Sequence, residues 1–521
     1  MTRSRAAGTV LLRDRPRTVR RSSTPDAPPA SIRSWGVVTS LGEAGMTGTT
    51  GTTTDTTSSA TGRIASDIRD ALRGRQHDYT SGPIGQAIFL LAIPMVLEMV
   101  MESLFAVSDV FFVARLGATA VATVGLTESM MIIVYTLAMG LAISGTAVVA
   151  RRIGEKDADG AGRAAVQAIL LGAMVASLIA ITGAVLAPTL LRFMGAGDDV
   201  IATGTTFARV MLGGSVTAFL LFVVNATFRG AGDAAVSMRV MWLANGINIA
   251  LGPMLIFGIG PFPALGVTGA AVATTIGRGT GLLYALYRLV RGSGNLRVRR
   301  SHLVFEPRTM LSMLRLSVNG TFQVLVGSLS WIVLVRLMAV FGSAAMAGYT
   351  IAVRMVMFAM LPAWGLGNAA ATMVGQALGA GNPDRAEKAV WKAARYNVAF
   401  LGLMGLIFGV FAPAIVRGFT VDAAVTRVAV DGLRLMAFGF PLFAFGMVLT
   451  QSFNGAGDTS TPTRINIGVF WVFEIPLAWF LAQHTSLGFH AIFVSISVAY
   501  SALAAVSFVM FRRGTWRVRT V

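Results

Sequence analysis

The sequence predicts an all-α polytopic membrane protein with about twelve transmembrane helices in two pseudo-symmetric six-helix bundles. Three observations predict this fold: an apolar composition, a series of apolar runs of spanning length, and an internal repeat. Of the 521 residues, 54% are hydrophobic and only 13% are charged, and the mean hydropathy is +0.69. A soluble domain needs about a quarter of its residues charged. The composition therefore excludes a soluble globular protein.

Apolar runs of about twenty residues, long enough to span a bilayer as helices, follow one another from Ile84 onward. Their approximate centres are Val96, Val134, Met174, Ala218, Ile249, Ala273, Leu325, Met360, Met404, Phe445, Phe473 and Val498. Lipid offers the backbone no hydrogen-bond partner, so each run is predicted to be helical.

The connections between these runs alternate between basic and neutral. The basic set carries Arg151, Arg152, Lys156, Arg163, Arg229, Arg239, Arg288 to Arg315, Arg385 to Arg395, Arg512 and Arg513. Basic loops are retained in the cytoplasm, so we expect a multi-pass protein of the bacterial inner membrane with both termini cytoplasmic. The net charge of +19 is spread over these loops, and we expect the lipid bilayer, not nucleic acid, as its partner.

The N-terminal extension, residues 1–80, differs in kind from the rest. Residues 1–45 are rich in Arg, Pro and Ser, and residues 47–61 in Thr, Gly and Ser, so both are predicted to be disordered. Met46 is an alternative start, which leaves the translation of the first segment open. Residues 63–73 carry apolar side chains at helical spacing, which predicts a short interfacial helix. The remaining predicted units are an N-lobe of six spans (81–291), a cytoplasmic linker (292–309), a C-lobe of six spans (310–511) and a basic cytoplasmic tail (512–521).

An internal repeat organises the membrane part of the chain. TFRGAGDAAVSMR, from Thr227, matches SFNGAGDTSTPTR, which starts 225 positions later at Ser452. The same offset pairs Gly117 with Gly342, Gly154 with Gly379, and Pro188 with Pro413. With six spans in each half, both repeats face the same way, which predicts a central substrate cleft and alternating access.

Acidic residues inside spans are costly at about 2.5 to 3.5 kcal/mol each, so they are candidates for function. Glu98, Glu102 and Asp109 are four and seven residues apart, or about 400° and 700° around a helix, which places them on one stripe. Acids that share an apolar cavity repel one another and favour binding of a proton or a cation. The alternative interpretation is that Asp109 lies near the outer end of its span and is simply exposed to solvent. Glu128 and Glu474 are further acids within spans.

The chain resembles the multidrug and toxic compound extrusion (MATE) family over Ile84 to Phe511. The matching segments, in order, are LAIPMVLEMVMESLFAVSDVFFVARLG, ARRIGEKDADGAGRA, the two GAGD loops, NIALGPMLIFG and LGVTGAAVATTIG. The resemblance implies two lobes in a V shape. It also implies export of cationic amphipathic drugs or toxic metabolites, driven by protons or sodium ions as the coupling ion, with no other cofactor.

The resemblance also implies which residues bind the coupling ion. Asp109 matches the acid most associated with that ion, Asn248 matches the Asn of the fifth helix, and Thr274 matches the Thr of the sixth. Gly252 stands where a second acid is expected. A sodium site of the usual kind is therefore in doubt, Glu102 is a candidate for the missing carboxylate, and the chain leans toward proton coupling. The coupling candidates are Asp109, Glu102, Asn248, Thr274 and Glu98.

Four further polar residues are candidates for the substrate cleft: Glu128, Gln323, Glu474 and Asn245. Gln323 replaces an acid that other family members carry on the seventh helix, which disfavours coupling in the second lobe. Glu474 either binds a cationic substrate or pairs with Arg336 or Arg354.

Enzymatic function is not expected. The chain has no Cys, no P-loop and no paired-His metal spacing. The GAGD loops resemble a protease signature, but as repeated turns they are better explained by loop geometry. The alternative function within the same superfamily is a lipid-linked oligosaccharide flippase, which the acidic cleft disfavours. We expect a monomer with small cationic substrates.

Overall fold

The computed structural model describes residues 66–74, 77–292 and 294–519. Within these ranges the chain is almost entirely helical and forms no strand. The segments predicted to be disordered, 1–45 and 47–61, lie outside the described residues, as do the first residues of the predicted interfacial helix. The rest of that helix is present, because residues 66–73 are helical.

Twelve long helical segments make up the described membrane part of the chain. They are α1 (Ile84–Ala114), α2 (Ala118–Gly154), α3 (Ala158–Phe193), α4 (Asp198–Ala231), α5 (Ala234–Phe257), α6 (Val267–Arg291), α7 (Pro307–Ala339), α8 (Ser343–Gly379), α9 (Pro383–Arg417), α10 (α10a, Ala423–Phe438, and α10b, Phe440–Gly455), α11 (Ser460–His484) and α12 (His490–Arg512). We call α1–α6 the first half and α7–α12 the second half. Every predicted centre lies inside its helix.

Ten of the described helices are long and apolar enough to cross a membrane on their own, and α10 makes an eleventh if its two parts form one span. These two parts meet at Gly439 with a bend of 54°. Pro441 follows the break and lacks the N–H that a continuous helix would use. The twelfth segment, α6, is 25 residues long but carries Arg278, Arg288 and Arg291, so it is less apolar than the others.

The two halves repeat each other in local geometry as well as in sequence. Gly117 and Gly342 begin α2 and α8 with φ of 95° and 94°, a region that glycine adopts without strain. Asp157 caps the N-terminus of α3 by accepting from the N–H of Gly160, and Asn382 caps α9 in the same way. The sequence offset of the repeat therefore corresponds to equivalent turns and caps in the structure.

The first turns of α1 and of α7 each pack into the core of the other half. Ile88, Leu91 and Met95 of α1 are buried in a core to which α8, α9, α10b, α11 and α12 of the second half contribute most of the residues. In return, Met310 and Met313 of α7 are buried in the core of the first half. This exchange ties the two bundles together at one end.

That end carries the basic loops, and we call it the basic end. Ser144 donates a hydrogen bond to the carbonyl of Met313 at 3.0 Å, and Thr372 and Gln376 of α8 donate to carbonyls at the end of α4. Among the described residues, all hydrogen bonds between the two halves lie near this end. The described hydrogen bonds therefore join the two halves at the basic end.

Glycines allow this close contact of the halves. A Cβ on Gly154 would overlap the carbonyl oxygen of Gln376, and one on Gly379 would overlap the carbonyl oxygen of Arg151. Neither position tolerates a side chain unless α2 and α8 move apart. The repeat thus places one glycine from each half at the same crossing.

We predict that Gly154→Ala loosens the contact at the basic end. The added methyl group overlaps backbone that has no flexible side chain to move, and overpacking of this kind costs about 1 to 3 kcal/mol. The apparent melting temperature of the purified protein in detergent should fall. Gly409→Ala is the matched control, because a Cβ at Gly409 meets no atom within 4 Å. Equal melting temperatures for the two variants would contradict the packing described above.

Candidate functional site

Of the three acids on the stripe of α1, Glu98 lies nearest the basic end. It is 1% exposed and forms a buried ion pair. One of its oxygens lies 2.6 Å from Nη1 of Arg229, at the end of α4, and the other accepts from the hydroxyl of Ser237, on α5, at 2.8 Å. The sequence prediction assigned Arg229 to a basic loop, but the side chain is buried in the last turn of the helix. Glu98 is thus held by fixed partners and joins α1 to α4 and α5.

Glu102, one turn further along α1, is also paired with an arginine. Its Oε1 lies 3.3 Å from Nη2 of Arg278, and its Oε2 accepts from the side-chain amide of Asn245 at 2.8 Å. Asn245, a predicted cleft residue, therefore belongs to the same cluster as Glu102. Three helices, α1, α5 and α6, contribute to this contact.

Arg278 lies near the middle of α6 and is only 4% exposed. Its guanidinium lies 5.4 Å from the ring centroid of Phe105 and 5.7 Å from that of Tyr135, distances at which a cation and a ring attract each other. Its Nε and Nη1 have no hydrogen-bond partner among the described residues, and the same holds for Oγ of Ser215. Both side chains line a small cavity with room for about one water molecule.

Asn248 and Thr274 meet beside this cluster, with the Asn amide donating to the Thr hydroxyl at 2.7 Å. Small residues make this contact possible, since a Cβ on Gly277 would overlap the carbonyl oxygen of Ala244 on α5. Gly252 is different, because a Cβ there would meet no atom within 4 Å. The position where the family pattern expects an acid is therefore open space.

Asp109 lies on the part of α1 that is nearer the opposite end. It is half-buried and makes no hydrogen bond or ion pair within the described part of the chain. It interacts electrostatically with Arg278 and with Glu128, an exposed acid of α2. Glu128 also interacts with Arg354 of α8, so this interaction joins a side chain of the first half to one of the second half. The first half therefore gathers Asp109, Glu102, Asn245, Asn248 and Thr274 around Arg278.

The predicted site residues of the second half lie apart from this cluster. Gln323 is 9% exposed, and its Oε1 has no partner among the described atoms. Glu474 is 3% exposed and ends a π-helical stretch, Ile467–Glu474, within α11. The predicted pairing of Glu474 with Arg336 or Arg354 is not observed: both arginines are exposed, and Glu474 forms no ion pair in the described ranges. Burial inside the second half separates its carboxylate from them.

Sequence reasoning missed Arg278. The signal was available, because an arginine near the middle of an apolar helix carries the same insertion cost as the acids that were considered. The sequence-based prediction of coupling residues rested on acids, an amide and a hydroxyl, and it considered arginines within spans only as partners of Glu474. The pairing with Glu102 also depends on how α1 and α6 face each other, which a sequence does not show.

The two GAGD loops are structural anchors. Gly232 has φ +85°, and the buried carboxylate of Asp233 accepts from the backbone N–H groups of Asn295 and Leu296 in the linker. Burial raises the pKa of Asp233 to about 7, although those two N–H groups favour the charged form. Asp458 accepts instead from Ser460 and Thr461 in its own loop.

We predict that Asp233 makes stability depend on pH. Its folded-state pKa lies above the unfolded value, so the native state binds more protons between the two values, and stability falls as the pH rises toward about 7. Asp233→Asn should flatten the dependence of the apparent melting temperature between about pH 4 and pH 7. The exposed Asp198→Asn serves as control. Parallel curves for wild type and Asp233→Asn would contradict this assignment.

Comparison with known proteins identifies the family. The family model MatE matches residues 94–254 and 321–480, one segment in each half. A protein of Bacillus subtilis named probable multidrug resistance protein YoeA is 25% identical over 431 residues, which cover 82% of this chain and 92% of the relative. A protein of Shewanella oneidensis named FAD transporter is 26% identical over 404 residues, 77% of this chain and 89% of the relative.

A solved structure has the same fold. It is described as the outward-facing conformation of a multidrug resistance MATE family transporter of the MOP superfamily. It superimposes with a TM-score of 0.79 at 28% identity and covers 84% of this chain and 97% of its own. Its two-lobed bundle of about twelve helices agrees with the arrangement described above.

Proposed function

We propose a specific transport cycle for this chain, which belongs to the MatE family of multidrug efflux transporters. The chain is a multi-pass membrane protein and a transporter, not an enzyme. The proposal is that it exports amphipathic organic cations in exchange for protons or sodium ions, with the basic end in the cytoplasm of a bacterial cell. The names of its relatives and the distribution of basic loops support this reading.

The observation that carries the proposal is the polar cluster around Arg278. Intramembrane acids persist where they face a cavity or a partner, and this cluster combines Glu102, which is paired, with Asp109, which has no fixed partner in the described residues. An unpaired carboxylate beside a cleft is suited to bind and release a cation as its surroundings change. Asp109 is therefore the proposed exchanging group.

Transport follows if ion binding and substrate binding favour different states. The two halves are hydrogen-bonded to each other at the basic end, and Asp109 lies on the part of α1 that is farther from that end, where the proposed cleft would be open. An ion that binds Asp109 from that side would weaken the attraction of the cleft for a cationic substrate and favour its release. Only such a difference in affinity between states can drive the cycle.

An anionic substrate is the second candidate. One relative is named FAD transporter, and Arg354 on the second half interacts with Glu128 across the cleft, so the cleft contains positive as well as negative charge. A flavin nucleotide would be attracted to that arginine and repelled by Glu128. Measuring the transport of ethidium and of FAD in one assay distinguishes a cationic from an anionic substrate.

We predict that Asp109→Asn abolishes gradient-driven efflux. The variant keeps the shape of the side chain but cannot exchange a proton or balance a cation. The measurement is ethidium efflux from proteoliposomes under an imposed proton or sodium gradient, with FAD tested in parallel. Asp198→Asn, an exposed acid in the first turn of α4, is the matched control and should transport normally.

Two results would contradict the proposal. Efflux by Asp109→Asn at the wild-type rate would remove this residue from coupling. Absence of ethidium efflux by correctly inserted wild-type protein under either gradient, together with transport of FAD, would favour the anionic substrate.

A further inference from the structure

We propose that Arg278 is a resident cation of the coupling site, which neutralises Glu102, excludes sodium and leaves Asp109 to exchange a single proton. The inference rests on the proposed function, since it concerns the same site. It goes further by naming the coupling ion and the residue that selects it.

The first step is that the Arg278 side chain is buried in the protein and does not reach bulk water. It is 4% exposed near the middle of α6, and the rings of Phe105 and Tyr135 lie within cation–π distance of its guanidinium. Arginine keeps its charge in proteins because the pKa of its guanidinium lies far above physiological pH. A permanent positive charge is therefore built into the site.

The second step is that Arg278 occupies the place beside Glu102 where another cation would bind. Its Nη2 lies 3.3 Å from Oε1, and the amide of Asn245 lies 2.8 Å from Oε2, so both carboxylate oxygens already have donors. A sodium ion at Glu102 would have to displace both donors. It would also meet the repulsion of a desolvated guanidinium only a few ångströms away.

The third step is that the remaining oxygen ligands are too few for a metal ion. Hard cations are held by several oxygens arranged around them. Thr274 already accepts from Asn248, and Gly252 contributes no side chain to the open space one turn beyond it. A proton needs only one carboxylate oxygen, and Asp109 supplies it.

The fourth step concerns the charge of the cluster. With both acids ionised, Glu102, Asp109 and Arg278 sum to one negative charge, which one proton cancels. The unpartnered Nε and Nη1 of Arg278 leave it with donors to interact with Asp109 when that acid is ionised. The charged and titratable groups that interact with Asp109 from the surrounding helices are Glu128 and Tyr135 on α2 and Arg278 on α6. Arg278 interacts in turn with Glu102 on α1, and Glu128 with Arg354 on α8.

The test measures ion binding and transport separately. Purified wild type, Arg278→Gln, Arg278→Lys and the control Arg192→Gln are titrated with NaCl against KCl at constant ionic strength, and the apparent melting temperature is followed. The same proteins, in proteoliposomes, are assayed for ethidium efflux under a proton gradient or a sodium gradient. Arg192 is exposed at the end of α3, away from the cluster.

We expect no sodium-specific stabilisation of wild type, Arg278→Lys or Arg192→Gln. Wild type and Arg192→Gln should export ethidium under the proton gradient only. Arg278→Gln should gain a saturable rise in melting temperature with sodium, and adding Asp109→Asn to it should remove that rise. Adding Gly252→Asp to Arg278→Gln should strengthen sodium binding, because the new carboxylate enters open space.

Two outcomes overturn the inference: saturable sodium-specific stabilisation or sodium-driven efflux of the wild type, which needs no variant to fold, and unchanged ion selectivity of well-folded Arg278→Gln. Failure of the proposed function looks different. In that case no wild-type efflux of ethidium occurs under either gradient, while the melting experiment still reports whether Arg278 excludes sodium.

Discussion

The packing of α1 depends on two ion pairs that its acids form with arginines of neighbouring helices. Glu98 pairs with Arg229 of α4, and Glu102, one turn later, pairs with Arg278 of α6. Removing one partner of a buried pair leaves an uncompensated charge, which costs about 3 to 5 kcal/mol. These two contacts therefore fix both the position and the rotation of α1 against the first half. The rotation of α1 also determines the direction in which Asp109 points, because Asp109 lies on the same helix.

The repeat shows that this charge network belongs to one half only. At the offset of 225, the positions of the second half that match Glu98, Glu102, Asp109 and Arg229 are occupied by Gln323, Gly327, Leu334 and Asn454. Further along, LGVTGAAVA aligns with LGFHAIFVS at an offset of 222, which pairs Arg278 with Tyr500. Every acid and every arginine of the network is thus replaced by an uncharged residue. Both members of each pair are replaced together, as expected, because one charged residue left without its partner inside the membrane would be costly. Two bundles of the same architecture therefore carry different chemistry, with ion pairing in the first and apolar packing in the second.

The sequence predicted the helices better than their contacts. Each predicted centre falls inside a helix, because span length and apolarity are local properties that a sequence displays directly. The break at Gly439 and the π-helical stretch ending at Glu474 were not predicted, since Pro441 and Pro476 are compatible with several kinds of bend. For the candidate site, periodicity placed Glu98 and Glu102 on one stripe. Their arginine partners depend on helix tilt and rotation, which arise only when the bundle packs.

The geometry of α1 suggests how events at the site reach the contact between the halves. Its first turns, with Ile88 and Leu91, are buried in the core of the second half, while its next turns carry the paired acids of the first half. Arg229 extends this connection, because its side chain binds Glu98 and its carbonyl accepts from Thr372 of α8. A rotation or bend of α1 that changes the partners of its acids must therefore also disturb the contact between the two halves at the basic end. Pro94 lies between the two parts of the helix, at a point where the backbone ladder is already interrupted. The proposed ion site and the contact between the halves thus share one helix, and neither can rearrange independently of the other.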